Sequence, residues 1–460
     1  MNSVKGKTVF ILGAGASASA HLPTQDKLLS KVFSLKRTID KALVKSDFLS
    51  LNINSKLQRV QEYYPKFDKY RQNLGEFVIA NFSTFEKLNQ YKSIIENALK
   101  VEETDANAMR IREDLLFEAY NIARSVKVSL EDLFTIFDSV HSGREHFRMY
   151  SLKQMADIHN ELKLCIIYTL SFSIAESCDN GDYKKFSRYL IERRLHASQK
   201  EDTLAVITMN WDDILENTLF EMCNNYNQSL NKGQKQIHPD LCFYDYDLNE
   251  KESHIPSVHI KAKGHKNIKI LKMHGSLAWL ECPKCARIYS DFSNEIAAEE
   301  FSDLECPYCK DLDRLQTENP ILRNLIITPT FLKSLDNLNV KNIWHNAFID
   351  VSEADKLVFI GYSFPDADFE MRCLLKKACK ASVKIEVVLS KDVDPEGYIG
   401  KFTEKGFDED ETKDLISRMQ LPEERYKSFF GEDKVSFYYN GFGAYIDQIG
   451  GFYEAKGNEQ

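Results

Sequence analysis

The sequence has no apolar run long enough to cross a membrane. Its longest candidate, Leu164 to Ala175, carries serines and a threonine and falls short of the ~20 residues that a membrane helix needs. The chain also lacks an excess of positive charge, since its net charge is -9 and its pI is about 5.8. Strong non-specific binding to nucleic acid is therefore not expected, although a local basic groove stays open.

A disulfide framework is also missing. Of the ten cysteines, six are scattered in apolar surroundings, and the others form two pairs, Cys282-Pro-Lys-Cys285 and Cys306-Pro-Tyr-Cys309. Two such pairs can present four sulfurs tetrahedrally, which predicts a structural Zn²⁺ ribbon with no open position for catalysis. The alternative, a thioredoxin-type redox pair, requires a single motif that opens a helix. Free thiols and a thiolate metal site favour a reducing, cytoplasmic location.

The first residues permit two interpretations. Lys5 and Lys7 precede a short apolar run and an Ala-Ser-Ala site, as in a secretory signal peptide. However, only Val9 to Leu12 are strongly apolar before the glycines begin, whereas a signal core spans roughly 7 to 15 residues. We therefore favour a buried strand, Thr8 to Leu12, followed by a tight turn.

The turn itself, Gly13-Ala14-Gly15, is only part of a nucleotide fingerprint. The third glycine of the dinucleotide pattern would fall at Ala18, and no Gly-x-x-x-x-Gly-Lys-[Ser/Thr] occurs in the chain. The turn and Ser17 are thus either a phosphate cradle or an ordinary strand-to-helix connection. The chain by itself is not a P-loop ATPase.

Short, near-continuous apolar runs predict the strands of a parallel sheet buried on both faces. Helical patterns follow several of them, which indicates an α/β fold with a Rossmann-like, doubly wound parallel sheet. The predicted strands are Thr8 to Leu12, Leu204 to Met209, Ile268 to Met273, Leu325 to Thr328, Lys356 to Ile360 and Lys384 to Leu389.

The long segment between the first two strands has the helical period instead. Its predicted helices are Asp40 to Tyr64, Phe82 to Val101, Met109 to Val126, Ser129 to Val140 (with Ser129 as N-cap), Leu152 to Glu176 and Lys184 to His196. The predicted organisation is 1–39, first strand and phosphate turn; 40–200, helical insertion; 201–280, Rossmann-like domain; 281–315, zinc ribbon; 316–395, Rossmann-like domain; and 396–460, C-terminal extension. The extension, with Val435 to Phe442, adds either an edge strand and helix or a partner surface.

Polar residues or glycines stand at the ends of three predicted strands, where ligands bind in sheets of this kind. They are Thr208, Asn210 and Asp212 after the second strand, His274 after the third, and Gly361 with Ser363 after the fifth. Each also has a purely structural interpretation. Asp212 could cap the next helix, His274 could be a hydrogen-bonded core histidine, and Gly361 and Ser363 could be turn residues.

In their order these motifs resemble the sirtuin family. The matching segments are Gly13-Ala14-Gly15-Ala16-Ser17, Thr208 to Asp212, His274-Gly275, the four cysteines and Gly361 to Ser363. The resemblance spans residues 8–30 and 203–391 and implies a Rossmann-like domain that binds NAD, with an inserted zinc module.

The chain departs from the deacylase pattern of that family. His21-Leu-Pro-Thr-Gln-Asp26 stands where deacylases have Gly-Ile-Pro-Asp-Phe-Arg, and Thr328 to Phe331 replaces the Phe-Gly-Glu segment of the acyl-lysine groove. These changes are similar to those of divergent bacterial antiphage proteins, several of which resemble NAD hydrolases. The resemblance thus implies an NAD glycohydrolase that depletes NAD in abortive infection. Alternatives are an NAD-dependent deacylase or ADP-ribosyltransferase, and a non-catalytic NAD or ADP-ribose sensor.

By the same resemblance, Asn210 orients the ribose or the attacking water, Asp212 binds the nicotinamide carboxamide and His274 is the general base. Ser17 and the turn amides take the pyrophosphate, and Ser363 takes the other ribose or a phosphate. An unregulated NAD hydrolase would harm its host, so the helical insertion is expected to form homo-oligomer contacts or to cover the pocket. Packing as a passive layer is the alternative. A phage-derived trigger or a HerA-like ATPase partner is a further expectation from resemblance.

Overall fold

The structure is a computed structural model of the chain. It describes residues 6–36, 63–102, 104–177, 179–198, 202–231, 234–242, 245–246, 253–254, 266–290, 304–312, 320–333, 335–390 and 421–457. The helix predicted from Asp40 to Tyr64 lies almost wholly outside these residues, as does much of the C-terminal extension.

The strands form two sheets. In chain order they are β1 (Thr8–Leu12), β2 (Leu204–Thr208), β3 (Ile237–Asp240), β4 (Asp245–Tyr246), β5 (Ser253–His254), β6 (Lys266–Lys272), β7 (Gly275–Glu281), β8 (Ile288–Ser290), β9 (Arg323–Ile326), β10 (Lys356–Ile360), β11 (Lys384–Val388) and β12 (Val435–Tyr438). The larger sheet has the order β12-β11-β10-β1-β2-β6-β3 and is parallel throughout. The predicted Rossmann-like sheet is therefore confirmed.

The central strands of this sheet are buried on both faces, which explains why their sequences do not alternate between apolar and polar residues. Every residue of β1 and of β2 is buried. At one edge, β12 pairs in parallel with β11, so the stretch from Val435 adds an edge strand, and a helix follows it.

One predicted strand belongs to the other sheet, which has the order β5-β4-β8-β7-β9. The apolar run from Leu325 lies in β9, which pairs antiparallel with β7. The expectation that it joins the parallel sheet was wrong. Only Met273 and His274 separate β7 from β6, and β7 offers β9 a free strand edge.

The helices of the described residues are α1 (Ala14–Ala18), α2 (Gln25–Ser34), α3 (Tyr64–Phe82), α4 (Phe85–Leu99), α5 (Ala106–Arg124), α6 (Leu130–Gly143), α7 (Leu152–Ser177), α8 (Gly181–His196), α9 (Ile214–Gln228), α10 (Pro307–Leu312), α11 (Leu338–Glu353), α12 (Phe369–Ala378), α13 (Pro422–Phe430) and α14 (Phe442–Gly457). Ser129 caps α6 in a capping box with Asp132, as the sequence predicts. Helix α3 was not predicted. No helix among the described residues has both the length and the apolarity needed to span a membrane.

The helical segment packs on the sheet and on the first helices of the α/β unit. Phe186 of α8 lies edge-on against Phe10 of β1, with ring centroids 5.1 Å apart. Arg71 of α3 is buried and donates to the backbone carbonyls of Val32 and Leu35 at the end of α2. A buried guanidinium thus caps α2 and ties the helical layer to the α/β unit.

Candidate functional site

The parallel register places the ends of three strands at one level. Leu12, the last residue of β1, lies opposite Thr208 in β2 and opposite Ile360 in β10. The polar residues that follow these strands must therefore meet at the carboxyl edge of the sheet, where open α/β folds bind ligands.

The glycine turn after β1 packs against the turn after β10. The Gly13 N–H donates to the Ile360 carbonyl at 3.0 Å, and the Gly15 N–H donates to the Gly361 carbonyl at 2.8 Å. A Cβ on Gly361, whose φ is +59°, would lie 2.1 Å from the Ala16 nitrogen. These glycines are required for the close approach of two backbones, and two turn amides are already used within the fold.

A buried hydrogen-bond network joins α1, the end of β2 and the helical layer through one hydroxyl. Ser17 Oγ donates to Asp212 Oδ2 at 2.7 Å and accepts from Asn210 Nδ2 at 2.9 Å. Tyr183 of α8 lies 2.8 Å from the same oxygen. A serine hydroxyl has one proton and two lone pairs, so the tyrosine is the donor in this last bond. Thr208 Oγ1 accepts from the Asn210 N–H at 3.1 Å.

Asp212 combines the structural and the site interpretations. Its Oδ1 accepts from the Ile214 N–H at 3.3 Å at the start of α9, while its other oxygen binds Ser17. Beneath it, Lys272 donates to the Asp212 backbone carbonyl and forms a buried 2.6 Å ion pair with Glu216. Both the capping role and the position within the network are therefore present.

His274 lies in the turn between β6 and β7, and it is buried beside this network. Its ring is hydrogen-bonded to the backbone of Met209, the residue before Asn210. Its Nε2 is buried and has no hydrogen-bond partner, so we assign the Met209 bond to Nδ1. Burial lowers the pKa of His274 to about 4; the Asp368 carboxylate opposes this shift and Lys333 adds to it. The imidazole is neutral at neutral pH, with a bare nitrogen that can accept a proton.

Asp368, at the start of α12, faces that nitrogen. Its Oδ1 lies 3.6 Å from His274 Nε2 and 2.5 Å from Lys333 Nζ, and its Oδ2 accepts from the Tyr362 hydroxyl at 2.7 Å. Burial acts to raise the pKa of Asp368, but His274 and Lys333 outweigh it and hold that pKa below its usual range. The carboxylate is thus ionised, with one hydrogen bond to each of its oxygens.

The remaining predicted residues occupy the rim of this region. Ala14 begins α1, and Ser363 is exposed, with its backbone carbonyl accepting from Arg425. The next residue, Phe364, has a φ of +55°, a conformation that a bulky residue rarely adopts outside strained turns. Ser363 is thus on the same turn as Gly361, but its side chain is not part of the buried network.

The sequence did not identify three of the residues that the structure brings together. Tyr183 looks like any aromatic residue on an amphipathic helix, and Lys333 lies in a short loop with no motif around it. Asp368 stands in Gly361-Tyr-Ser-Phe-Pro-Asp-Ala-Asp368, where the sequence alone left its contact with a ligand open. Its N-cap position masked its role, because aspartate is common there for structural reasons.

The four cysteines form a second candidate site. Their sulfurs all lie within 4.8 Å of one another, with Cys282–Cys309 at 3.7 Å and Cys285–Cys306 at 3.9 Å. Tetrahedral zinc with Zn–S bonds of about 2.3 Å places its sulfurs about 3.8 Å apart. The donor set and its spacing therefore fit a four-coordinate zinc ion, with no position left for a substrate.

The fold and the two sites define a class: a Rossmann-like α/β protein with a sirtuin-like order of strand-end motifs and a cysteine-bearing module between β6 and β10. No protein-family model and no curated protein matches the sequence.

Among solved structures, the chain is similar to several sirtuins. A structure titled for the structural basis of sirtuin substrate affinity is 12% identical, with 97% of this chain and 93% of that chain covered and a TM-score of 0.32. A complex of Sir2 with a p53 peptide and NAD+ is 12% identical (97% and 94% covered, TM-score 0.32). A Sir2 homologue variant with ADP-ribose is 11% identical (99% and 95% covered, TM-score 0.34).

Proposed function

We propose that the protein is an NAD glycohydrolase, which cleaves the bond between nicotinamide and ribose to give nicotinamide and ADP-ribose. One observation carries the proposal. At the carboxyl edge of the sheet, two buried acceptors, His274 Nε2 and Asn210 Oδ1, have no hydrogen-bond partner, and the His274 ring is bonded to the backbone of Met209, the residue before Asn210. Buried polar atoms of this kind normally have partners, so such a pair indicates a place for a polar ligand.

The reaction asks three things of the site: to hold the ribose, to stabilise its developing positive charge and to admit water. As the C–N bond breaks, its electron pair leaves with nicotinamide, which departs neutral. The water oxygen bonds to the ribose carbon, and its proton passes through a ribose hydroxyl to the neutral His274 Nε2. In this proposal Asn210 Oδ1, which has no partner within the protein, orients the water, and the Asp212 carboxylate contributes negative charge to the site.

Incubation with NAD tests this function. The purified protein should release equimolar nicotinamide and ADP-ribose, measured by chromatography, and His274→Ala should lower the rate at least 100-fold. The matched control is His159→Gln. His159 is a partly buried histidine of the helical layer, where it stacks on Phe137, and desolvation lowers its pKa to about 3. This control should keep the wild-type rate.

Other outcomes identify the alternatives. Consumption of NAD only in the presence of an acyl-peptide or an acceptor protein would mean a deacylase or an ADP-ribosyltransferase. Binding of ADP-ribose without turnover, unaffected by His274→Ala, would mean a sensing subunit.

We further propose that the activity depletes NAD in cytoplasmic antiphage defence, with the helical layer restraining it until a phage-derived trigger or a HerA-like ATPase acts. The contacts of α6 support a lid. Gln25 donates to Glu131 in the first turn of α6 at 2.8 Å, and burial, with added repulsion from Asp368, raises the pKa of Glu131. This end of α6 thus lies close to the site. Light scattering tests the proposed homo-oligomer, and a monomer with full basal turnover would contradict the restraint.

A further inference from the structure

Two hydrogen-bond acceptors face each other across the site. His274 Nε2 and Asp368 Oδ1 are 3.6 Å apart, which is too far for a hydrogen bond. The imidazole proton is on the nitrogen bonded to Met209, so Nε2 presents a lone pair, and the ionised carboxylate has only lone pairs. The pair is therefore not a histidine–aspartate hydrogen bond, and it lacks a donor between its members.

The position of Asp368 argues that this arrangement serves a ligand. As the N-cap residue of α12, an aspartate ordinarily accepts from the free amides of the first turn. Asp368 makes no such bond. Its carboxylate turns instead into the site, where Tyr362 and Lys333 fix both of its oxygens.

The carboxylate also has room for another donor. An ionised carboxylate offers about four lone-pair positions. The bonds from Tyr362 to Oδ2 and from Lys333 to Oδ1 occupy two of them. Lys333 further donates to the Ala367 carbonyl at 2.8 Å, so its position is set independently of any ligand.

We propose that His274 and Asp368 form a two-acceptor clamp for a vicinal diol, in which one hydroxyl of a ribose donates to His274 Nε2 and its neighbour donates to Asp368 Oδ1. Hydroxyls on adjacent carbons supply two donors at the spacing that these acceptors require, whereas a single hydroxyl can satisfy only one of them. Identification of the sugar as the nicotinamide ribose of NAD rests on the proposed function. Asp368 is then a residue that contacts substrate and selects a diol.

Wild-type protein tests the clamp without any substitution. NAD analogues that lack either the 2′- or the 3′-hydroxyl of the nicotinamide ribose should each lose about 10- to 100-fold in kcat/KM, because each leaves one buried charged or polar acceptor unpaired. Full sensitivity to one hydroxyl and none to the other would overturn the clamp and leave His274 as a lone acceptor.

A variant then assigns the second acceptor. Asp368→Asn should lower kcat/KM for NAD about 10- to 100-fold, and its further effect should fall below about threefold on the analogue that lacks its partner hydroxyl. The matched control is Asp366→Asn. Asp366 lies two residues before Asp368 in the sequence, but it is exposed and pairs with Arg372. Asp366→Asn should have the kcat/KM of the wild type with NAD and with each analogue. An equal loss for Asp368→Asn with NAD and with both analogues would show a structural role instead.

Binding separates failure of the clamp from failure of the proposed function. ADP-ribose and its two deoxy counterparts are titrated into the wild type and Asp368→Asn by calorimetry. Diol-dependent affinity without NAD turnover would keep the clamp and overturn the hydrolase. NAD turnover that does not depend on Asp368 would keep the hydrolase and overturn the clamp. If neither NAD turnover nor diol-dependent affinity is found, both proposals are overturned.

Discussion

Acidification should leave His274 neutral well below the pH at which an ordinary histidine becomes protonated. Burial lowers its pKa to about 4. At pH 5.5 about 97% of such a side chain is neutral, against about 9% for a histidine with the ordinary pKa of about 6.5. If His274 is the general base, kcat/KM should therefore be nearly constant from pH 7.5 to 5.5 rather than falling about tenfold.

The lowered pKa of His274 also makes the stability of the folded chain depend on pH. The unfolded chain binds the proton more readily than the folded chain, so the stability that this histidine contributes is fully present above about pH 6.5. It is lost as the pH falls from there towards 4. Between pH 7.5 and 5.5 the loss is about 1 kcal/mol for His274 and about the same for His159, whose pKa burial lowers to about 3.

Two assays measure these effects independently. The pH profile of kcat/KM reports the free enzyme, and the Cε1 proton resonance of His274 reports its protonation even if no NAD is turned over. Lys333→Gln should move the acid limb to higher pH, because it removes a positive charge that lowers the pKa of His274; Asp368→Asn should move it lower. An acid limb near pH 6.5 in the wild type, matched by the resonance, would refute the buried, neutral base.

Three further predictions concern the framework. Cys306→Ser should cut bound zinc, measured by atomic emission, from one ion per chain to a small fraction and lower the unfolding temperature, because four thiolates complete the site. Gly275→Ala should destabilise the chain by more than 2 kcal/mol, since its Cβ would lie 2.0 Å from a backbone carbonyl of β9; Gly431→Ala, also at positive φ but with nothing within 4 Å, should cost about 1 kcal/mol. Arg71→Met should cost about 3 to 5 kcal/mol in urea unfolding, because it removes the cation that pairs with the Asp68 carboxylate at 2.6 Å and leaves that charge with neutral donors only; a loss below 1 kcal/mol would contradict this.

Five of the seven strands of the parallel sheet, β1, β2, β6, β10 and β11, could be predicted because strands buried on both faces have continuous apolar runs; β3 was not predicted, and β12 was one of two alternatives. The N-cap at Ser129 also depends on a short stretch of sequence, and it was confirmed. The position of β9, in contrast, depends on a strand elsewhere in the chain. A run of three apolar residues, Leu325 to Ile327, predicts a strand but not its partner, and here the partner strand β7 begins with the tight turn at Gly275, whose φ is +75°.

The residues of the site likewise divide into those that a sequence pattern predicts and those that depend on tertiary packing. Asn210, Asp212 and His274 directly follow predicted strands, and the register of a parallel sheet brings such positions together. Lys333 and Tyr183 come from a loop and from a helix whose positions depend on tertiary packing, so no periodicity or motif distinguishes them. Asp368 is an intermediate case. The sequence placed it near a strand end, where an aspartate can either cap the next helix or face a ligand. The structure separates the two, because Asp368 makes no capping bond.

Tyr183 bears directly on whether the helical layer is passive. Its hydroxyl donates to the Ser17 oxygen, which also accepts from Asn210 and gives its own proton to Asp212. A layer that only covered the sheet would contact apolar side chains, as α8 does through Phe186. A fully buried phenol that completes the partners of a strand-end network instead makes α8 part of the site, so movement of this helix would alter the hydrogen bonding of Asp212 and Asn210 directly.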